Sequence, residues 1–352
     1  MIFSTNALRV IWATVTLGVS AIGGLLALAI GLPAAFLCGG ALTVSLAALF
    51  GLKATILTPM RDVAFVIIGV SMGAAVDKDT LSLIGQWPIS VIALLIGLAL
   101  IIGGTTFALN RLLGIDRMTS FLSSCPGHLS FVIGISESGR GNTRQITVIQ
   151  SIRVLILTIA IPTGVLVFSG GDLNLPARAP DMPIITLLAL IAACAIGGFL
   201  MQRFRMPAGY VLGAMIVATV AKLAGIFSGS VPLPLVTFSF IFMGALIGSR
   251  FVGVTLKELR HSAWGGLMVA FLAIGIVTIA AFMVTRLVDV PFGQVWIAFS
   301  PGGLETMGAL GIAFGYDTAF IAAHHTIRLL ALGFAIPFIS VTMMRRPNMT
   351  ER

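Results

Sequence analysis

The sequence predicts an all-α polytopic membrane protein made of two inverted-topology repeats. Each repeat holds about five transmembrane helices plus a broken, re-entrant helical segment at a Pro-Gly motif. Three observations predict this. The 352-residue chain is 58% hydrophobic and only 9% charged, with a mean hydropathy of +1.10. A soluble domain carries about 25% charged residues, so this much apolar surface requires lipid. The apolar runs are continuous rather than alternating, which argues helices over a β-barrel. Finally, residues 126–162 return as residues 301–337 at an offset of 175, without a gap and with 12 of 37 positions identical. Such a repeat governs the reading of everything else.

Taken in order, Arg9 precedes an apolar run that continues to Ile30 with no polar region after it. That run reads as a first membrane helix rather than a signal peptide. Six apolar segments then recur twice: residues 10–30, 34–50, 63–76, 87–109, 119–136 and 146–168, and residues 184–202, 207–226, 236–249, 263–285, 292–315 and 320–343. Residues 1–168 form the first repeat, the polar, proline-bearing stretch 169–183 joins the halves, and residues 184–352 form the second. The match extends to Ala21-Ile22-Gly23-Gly24 and Ala195-Ile196-Gly197-Gly198, and to Gly69 and Gly73 against Gly244 and Gly248. The third segment of each half has about 14 apolar residues where a span wants about 20, which fits either a tilted or an interrupted helix.

The net charge of +9 reads as Lys/Arg-rich cytoplasmic loops, not as a nucleic-acid surface. If all six segments of each half cross, 11 Lys/Arg fall inside and 8 outside. If the fifth dips in and returns, 15 fall inside, and only Lys78, Arg178, Lys222 and Arg286 lie outside. Arg153 and Arg328 lie within helices. The sharper split favours five crossings per half, an upside-down second repeat and cytoplasmic termini. Cys38, Cys125 and Cys194 lack metal-ligand spacing and read as small hydrophobes.

The candidate site lies at the fifth and sixth segments. Pro126-Gly127 and Pro301-Gly302-Gly303 interrupt apolar runs; proline removes a donor and glycine loosens the backbone, so the helix breaks there. Broken backbone at membrane depth is tolerated where it is buried in protein or lines a wet cavity. A new helix N-terminus after each break offers free N–H groups, and inverted repeats would bring two such termini toward the bilayer middle. Glu305 follows the second break, with Ser130 as its first-half twin. It either marks an ion or proton pathway or caps its own helix. Arg153 and Arg328 are each either an anion-binding guanidinium or a clamp on carbonyls that fixes packing. His324 and His325 stand near the face of Arg328 and suit proton coupling, or else are buried, hydrogen-bonded histidines. Gln150 stands where His325 does, so the site is expected to be asymmetric. His128, Ser136, Glu137, Asn142 and Asp317 are further polar residues at the segment ends. No GxxxxGK[ST] motif exists, so energy comes from a gradient or from none.

The chain resembles the AbrB-type bacterial inner-membrane proteins, built from an AbrB membrane duplication. The carrying residues are PGHLS…TRQITVIQSIRVL and PGGLETM…TAFIAAHHTIRLL, with the sites Pro33 to Gly39 and Pro207 to Gly213. The first repeat departs from the pattern, with His128 and Ser130 in place of Gly and Glu. The resemblance implies a multi-pass protein of the bacterial inner membrane. Members are labelled regulators of gene expression, ammonia monooxygenases or transporters.

The expected function is secondary transport of a small solute, with an organic anion favoured by the paired helix N-termini and Arg153 and Arg328. The solute is expected between Pro126, Gly127, His128, Ser130 and Arg153 of one repeat and Pro301, Gly302, Gly303, Glu305, His324, His325 and Arg328 of the other. No cofactor, metal or nucleic acid is expected; the bilayer is the partner, and a homo-oligomer is left open. An ammonia monooxygenase would need a redox metal on several His or carboxylates, and the chain has four histidines. A regulator would act indirectly, since no segment is long enough to read DNA.

Overall fold

The computed structural model describes residues 5–76, 85, 87–127, 132, 135–136, 141–168 and 178–344. Lys78, His128, Ser130, Glu137, Arg140 and the first part of the joining stretch lie outside the described residues. Among those described, the chain folds into 13 α-helices, and the one β-bridge pairs Asp181 with Ser230.

The first half contains α1 (Thr5–Ala29), α2 (Ala35–Leu49), α3 (Thr58–Ala74), α4 (Trp87–Leu113), α5 (Arg117–Ser124) and α6 (Thr143–Phe168). The second half contains α7 (Ile184–Arg203), α8 (Gly209–Leu223), α9 (Leu233–Gly248, extended by a 3-10 turn Ser249–Phe251), α10 (Leu256–Val284), α11 (Phe292–Phe299), α12 (Leu304–Ala313) and α13 (Thr318–Met344). Among the described residues, seven helices are long and apolar enough to cross a membrane: α1, α4, α6, α7, α9 with its 3-10 turn, α10 and α13. The protein is therefore a multi-pass membrane protein. Of the ten segments expected to cross, α2, α3 and α8 are shorter, at 15, 17 and 15 residues. The third segments, short by apolar count, fold as continuous helices because polar residues such as Thr58 and Arg61 extend α3 beyond its apolar part.

Helix bounds recur at the offsets of the sequence repeat. α5 and α11 both run eight residues, and α6 and α13 each carry an internal proline, Pro162 and Pro337. The entries into α2 and α8 also coincide. Ala34 (φ 49°) and Ala208 (φ 52°) are left-handed non-glycine residues directly after Pro33 and Pro207, a conformation that surrounding structure must impose.

Close helix crossings then hold each half together. A Cβ on Gly39 would sit 2.1 Å from the Gly23 carbonyl oxygen, and one on Gly213 would sit 2.3 Å from that of Gly197. Only glycine lets these backbones approach, which is how helices associate where lipid removes the hydrophobic drive. The halves also exchange partners. A Cβ on Gly69 of α3 would sit 2.5 Å from the Val211 oxygen of α8, and one on Gly244 of α9 would sit 2.9 Å from the Leu37 oxygen of α2. These contacts are reciprocal: each third-segment helix packs on the second-segment helix of the other half. One buried cluster spans both halves, from Leu37 and Met72 through Leu157 to Trp296, Leu310 and Phe320.

Candidate functional site

The site grows from the two proline–glycine breaks. α5 ends at Ser124 and α11 at Phe299; Cys125 (ψ 116°) and Ser300 (ψ 133°) then turn extended. Both residues precede proline, whose ring disfavours the helical conformation before it. After Pro126, Gly127 adopts φ 104° with Leu329 packed against it, so a Cβ would meet Leu329 Cδ2 at 2.9 Å. After Pro301, the chain restarts as α12 at Leu304 with Gly303 at its N-cap and no side-chain cap there. α11 and α12 span about 12 and 15 Å at 1.5 Å per residue, so neither crosses a hydrocarbon core of about 30 Å. The start of α11 meets the connection that follows α12: the Asp317 amide donates to Gln294 Oε1 at 3.1 Å. Thr318 Oγ1 donates to the Met72 carbonyl of α3 at 2.7 Å.

Arg328, 1% exposed on α13, reaches the break of its own repeat. Nη1 donates to the Ser300 carbonyl at 2.6 Å and Nη2 to the Gly302 carbonyl at 2.5 Å. Hydrogen bonds to a charged group contribute about 1.5–3 kcal/mol each, comparable to the roughly 2.5–3.5 kcal/mol cost of an Arg at a helix centre on the insertion scale. Arg328 is thus a carbonyl clamp that fixes the break.

Arg153, its counterpart on α6, is 2% exposed, and its Nε and Nη1 have no hydrogen-bond partner among the described residues. It lies within electrostatic reach of Arg328, of the Cys125 thiol and of Arg250. The side-chain ion pairs among the described residues are Arg61–Asp62, Arg144–Glu258 and Arg178–Asp181, so no described carboxylate is bonded to Arg153.

Beside the arginines, Gln150 and His325 share one task despite their different chemistry. Gln150 Nε2 donates to the Leu122 carbonyl at 2.8 Å and to Cys125 at 3.3 Å; His325 Nε2 faces the Ile297 carbonyl at 3.2 Å. Leu122 and Ile297 are 175 apart, so each residue ties the sixth segment of its half to the last turn before the break. His324 turns elsewhere. Its Nδ1 faces the Phe320 carbonyl at 2.7 Å, which assigns the proton to Nδ1, and its Nε2 lies 2.8 Å from Ser90 Oγ on α4. Its ring packs 4.0 Å from Phe320 by centroid, with Phe299 and Trp87 close by. His325 and Arg328 therefore address the broken segment, while His324 addresses α4.

Glu305 sits half-buried in the first turn of α12, its carboxylate against its own amide. The cations in its electrostatic reach are Arg250 and Arg61. Sequence reasoning missed these two because both read as loop residues of the positive side. Ser90 also escaped it, having no repeat twin and no motif. A cavity of about 10 Å³, room for about one water, touches Arg328, Pro301, Phe299, Leu94, Leu98 and Val277. Pro126, Gly127, Arg153, Pro301, Gly302, Gly303, Glu305, His324, His325 and Arg328 can thus be placed, whereas His128 and Ser130 fall outside the described residues. Among those described, no three His, Cys, Asp or Glu side chains come together as a metal site would require.

Comparison with known proteins follows this geometry. A Bacillus subtilis (strain 168) relative named "Uncharacterized protein YhjN" is 24% identical over 292 residues, covering 77% of this chain and 75% of its own length. An Escherichia coli (strain K12) relative named "Putative regulator AbrB" is 24% identical over 323 residues, covering 89% of this chain and 91% of its own. The family described as "Transition state regulatory protein AbrB" matches residues 36–343, which include both breaks and both buried arginines, and the chain belongs to this AbrB family.

Proposed function

We propose that this protein is a secondary transporter of a small organic anion, bound near the bilayer middle between the two broken segments. The observation that carries the proposal is Arg153: a guanidinium 2% exposed, with two nitrogens unpartnered among the described residues and a second buried arginine in reach. A charge so placed needs a counter-charge; a carboxylate solute supplies one and can leave again. Arg328 holds the break in shape so that the α12 N-terminus faces the solute. Glu305, in that first turn, loads and releases the coupled proton. The two halves are inverted repeats in this reading, and residues 292–315 enter and leave on one side. The bond between Asp317 and Gln294, which ties the first turn of α11 to the connection between α12 and α13, supports that path.

The test is uptake of small carboxylates into proteoliposomes under an imposed pH gradient. Gradient-driven accumulation that Glu305→Gln abolishes, with solute binding retained, is expected. Absence of gradient-dependent movement for every carboxylate tried would remove the transport reading. The topology is checked separately on a cysteine-free background. Cysteines at Arg178 and Arg286 should react with an impermeant thiol reagent from outside, and those at Lys53, Arg203 and Lys257 should not. Reaction from outside at Arg203 and Lys257 but not at Lys53, Arg178 or Arg286 is the pattern of six parallel crossings per half and would discard the inverted arrangement. The name of the E. coli relative favours a second reading, in which regulation is indirect and follows from moving a solute that a separate regulator senses.

A further inference from the structure

A groove of about 770 Å³ opens on a different part of the molecule, between α4, α5 and α13. One wall is the α4 stripe from Leu95 to Arg111; at 1.5 Å per residue it runs about 24 Å. Ala331, Leu332, Ala335 and Ile339 of α13 form the other wall. Most of its length is apolar and lined by small residues such as Ala99, Gly103 and Ala335, with space left above Gly103. Its polar end is not neutral: Asn110, Arg111 and Arg117 gather there. Both arginines are exposed, and neither belongs to an ion pair among the described residues. The nearest carboxylate in sequence, Asp116, is engaged in capping α5 through the Thr119 amide at 2.9 Å.

We propose that this groove binds one anionic phospholipid, its headgroup phosphate on Arg111 and Arg117 and an acyl chain along α4 and α13. Three features select that occupant. The groove's length of about 24 Å matches one leaflet, since a bilayer with headgroups is about 40–45 Å thick. Its charge is confined to one end, where a headgroup lies. Its walls carry no other charge, so a solute with charges at both ends would leave one of them unpaired. Arg111 and Arg117 also belong to the side that the charge distribution assigns to the cytoplasm, where anionic lipid attracts basic residues. This inference stands apart from the transport reading and would survive its failure.

The test is native mass spectrometry of the delipidated full chain in detergent, titrated with phosphatidylglycerol or with zwitterionic phosphatidylethanolamine. A single phosphatidylglycerol should bind tightly, and phosphatidylethanolamine markedly more weakly. Arg111→Gln with Arg117→Gln should weaken phosphatidylglycerol binding by about 30-fold, roughly fivefold per arginine beside an anionic headgroup. Ala99→Phe with Ala335→Phe, which fills the apolar length and leaves the arginines, should abolish the tight site. Equal binding of the two lipids, or phosphatidylglycerol affinity unmoved by either double variant, overturns the proposal. So does a dimer that the groove-filling variant splits into monomers with lipid binding unchanged, because a second copy would then occupy the groove.

Discussion

Arg153 and Arg328 occupy the same position in the two halves, ten residues into α6 and α13, and both are buried. Arg328 spends both terminal nitrogens on the Ser300 and Gly302 carbonyls, and only its Nε lacks a partner among the described residues. Arg153 makes no such bonds, and its Nε and Nη1 stay unpartnered among the described residues. Gln150 bonds the Cys125 carbonyl instead, the position equivalent to Ser300. The glutamine thus takes over part of the clamp in the first half and frees its arginine. A duplicated residue pair has been divided between fixing the backbone and holding an open positive charge.

The largest effect expected from this division is on stability. Arg328→Gln removes two hydrogen bonds from a charged donor to buried carbonyls and should lower stability by about 3 kcal/mol or more, at about 1.5–3 kcal/mol for each such bond. Arg153→Gln removes a group that is itself unsatisfied and should cost under about 1 kcal/mol or even stabilise. Thermal unfolding of both variants in one detergent checks the order, and equal losses would erase the distinction.

Much of the frame was legible before any coordinates. The 175-residue offset carried over to helix bounds, because proline and glycine set where helices stop by local chemistry alone. Both breaks are of this kind, whereas the left-handed entries at Ala34 and Ala208 carry no glycine signal and are imposed by the surrounding packing. Burial of Arg153 and Arg328 was equally legible, since each sits within a long apolar run. The partners of these side chains were not. A clamp and a ligand-binding guanidinium look the same in sequence, and only the direction of the Arg328 fork toward Ser300 and Gly302 separates them. His324 and His325 are adjacent, yet consecutive helical residues point about 100° apart, so they serve different neighbours. Arg61 and Arg250 reach Glu305 through tertiary packing of α12 against α3 and α9, for which the sequence holds no local signal.

A smaller effect sharpens the comparison at the neighbouring pair. Gln150→Leu takes the side-chain donor from the Leu122 and Cys125 carbonyls, whereas with His325→Leu the Ile297 carbonyl keeps the Ser300 amide. The glutamine change should cost about 1–3 kcal/mol for an unsatisfied buried acceptor, and the histidine change less, about 0.5–1.5 kcal/mol for one hydrogen bond lost. The more telling readout is compensation: with Gln150 gone, Cys125 O is free for Arg153, so Gln150→Leu should also weaken anion binding. Unaltered anion affinity in a folded Gln150→Leu protein would count against the division of labour. Smallest of all is the effect at Arg144, an exposed arginine that pairs with Glu258 at 2.7 Å and also reaches the Gly253 carbonyl. Solvent-exposed pairs contribute little, so Arg144→Ala should shift the unfolding midpoint less than any substitution above. A shift rivalling that of Arg328→Gln would show that the buried clamp is not special.

The most direct test of the central claim is the unfolding midpoint of the purified protein in a panel of small carboxylates, compared between wild type and Arg153→Gln. An anion that binds only the folded state raises the midpoint by mass action. The account predicts that at least one carboxylate raises it in wild type, and that Arg153→Gln keeps the unliganded midpoint while losing the carboxylate-dependent rise. A rise of the same size in Arg153→Gln would contradict it.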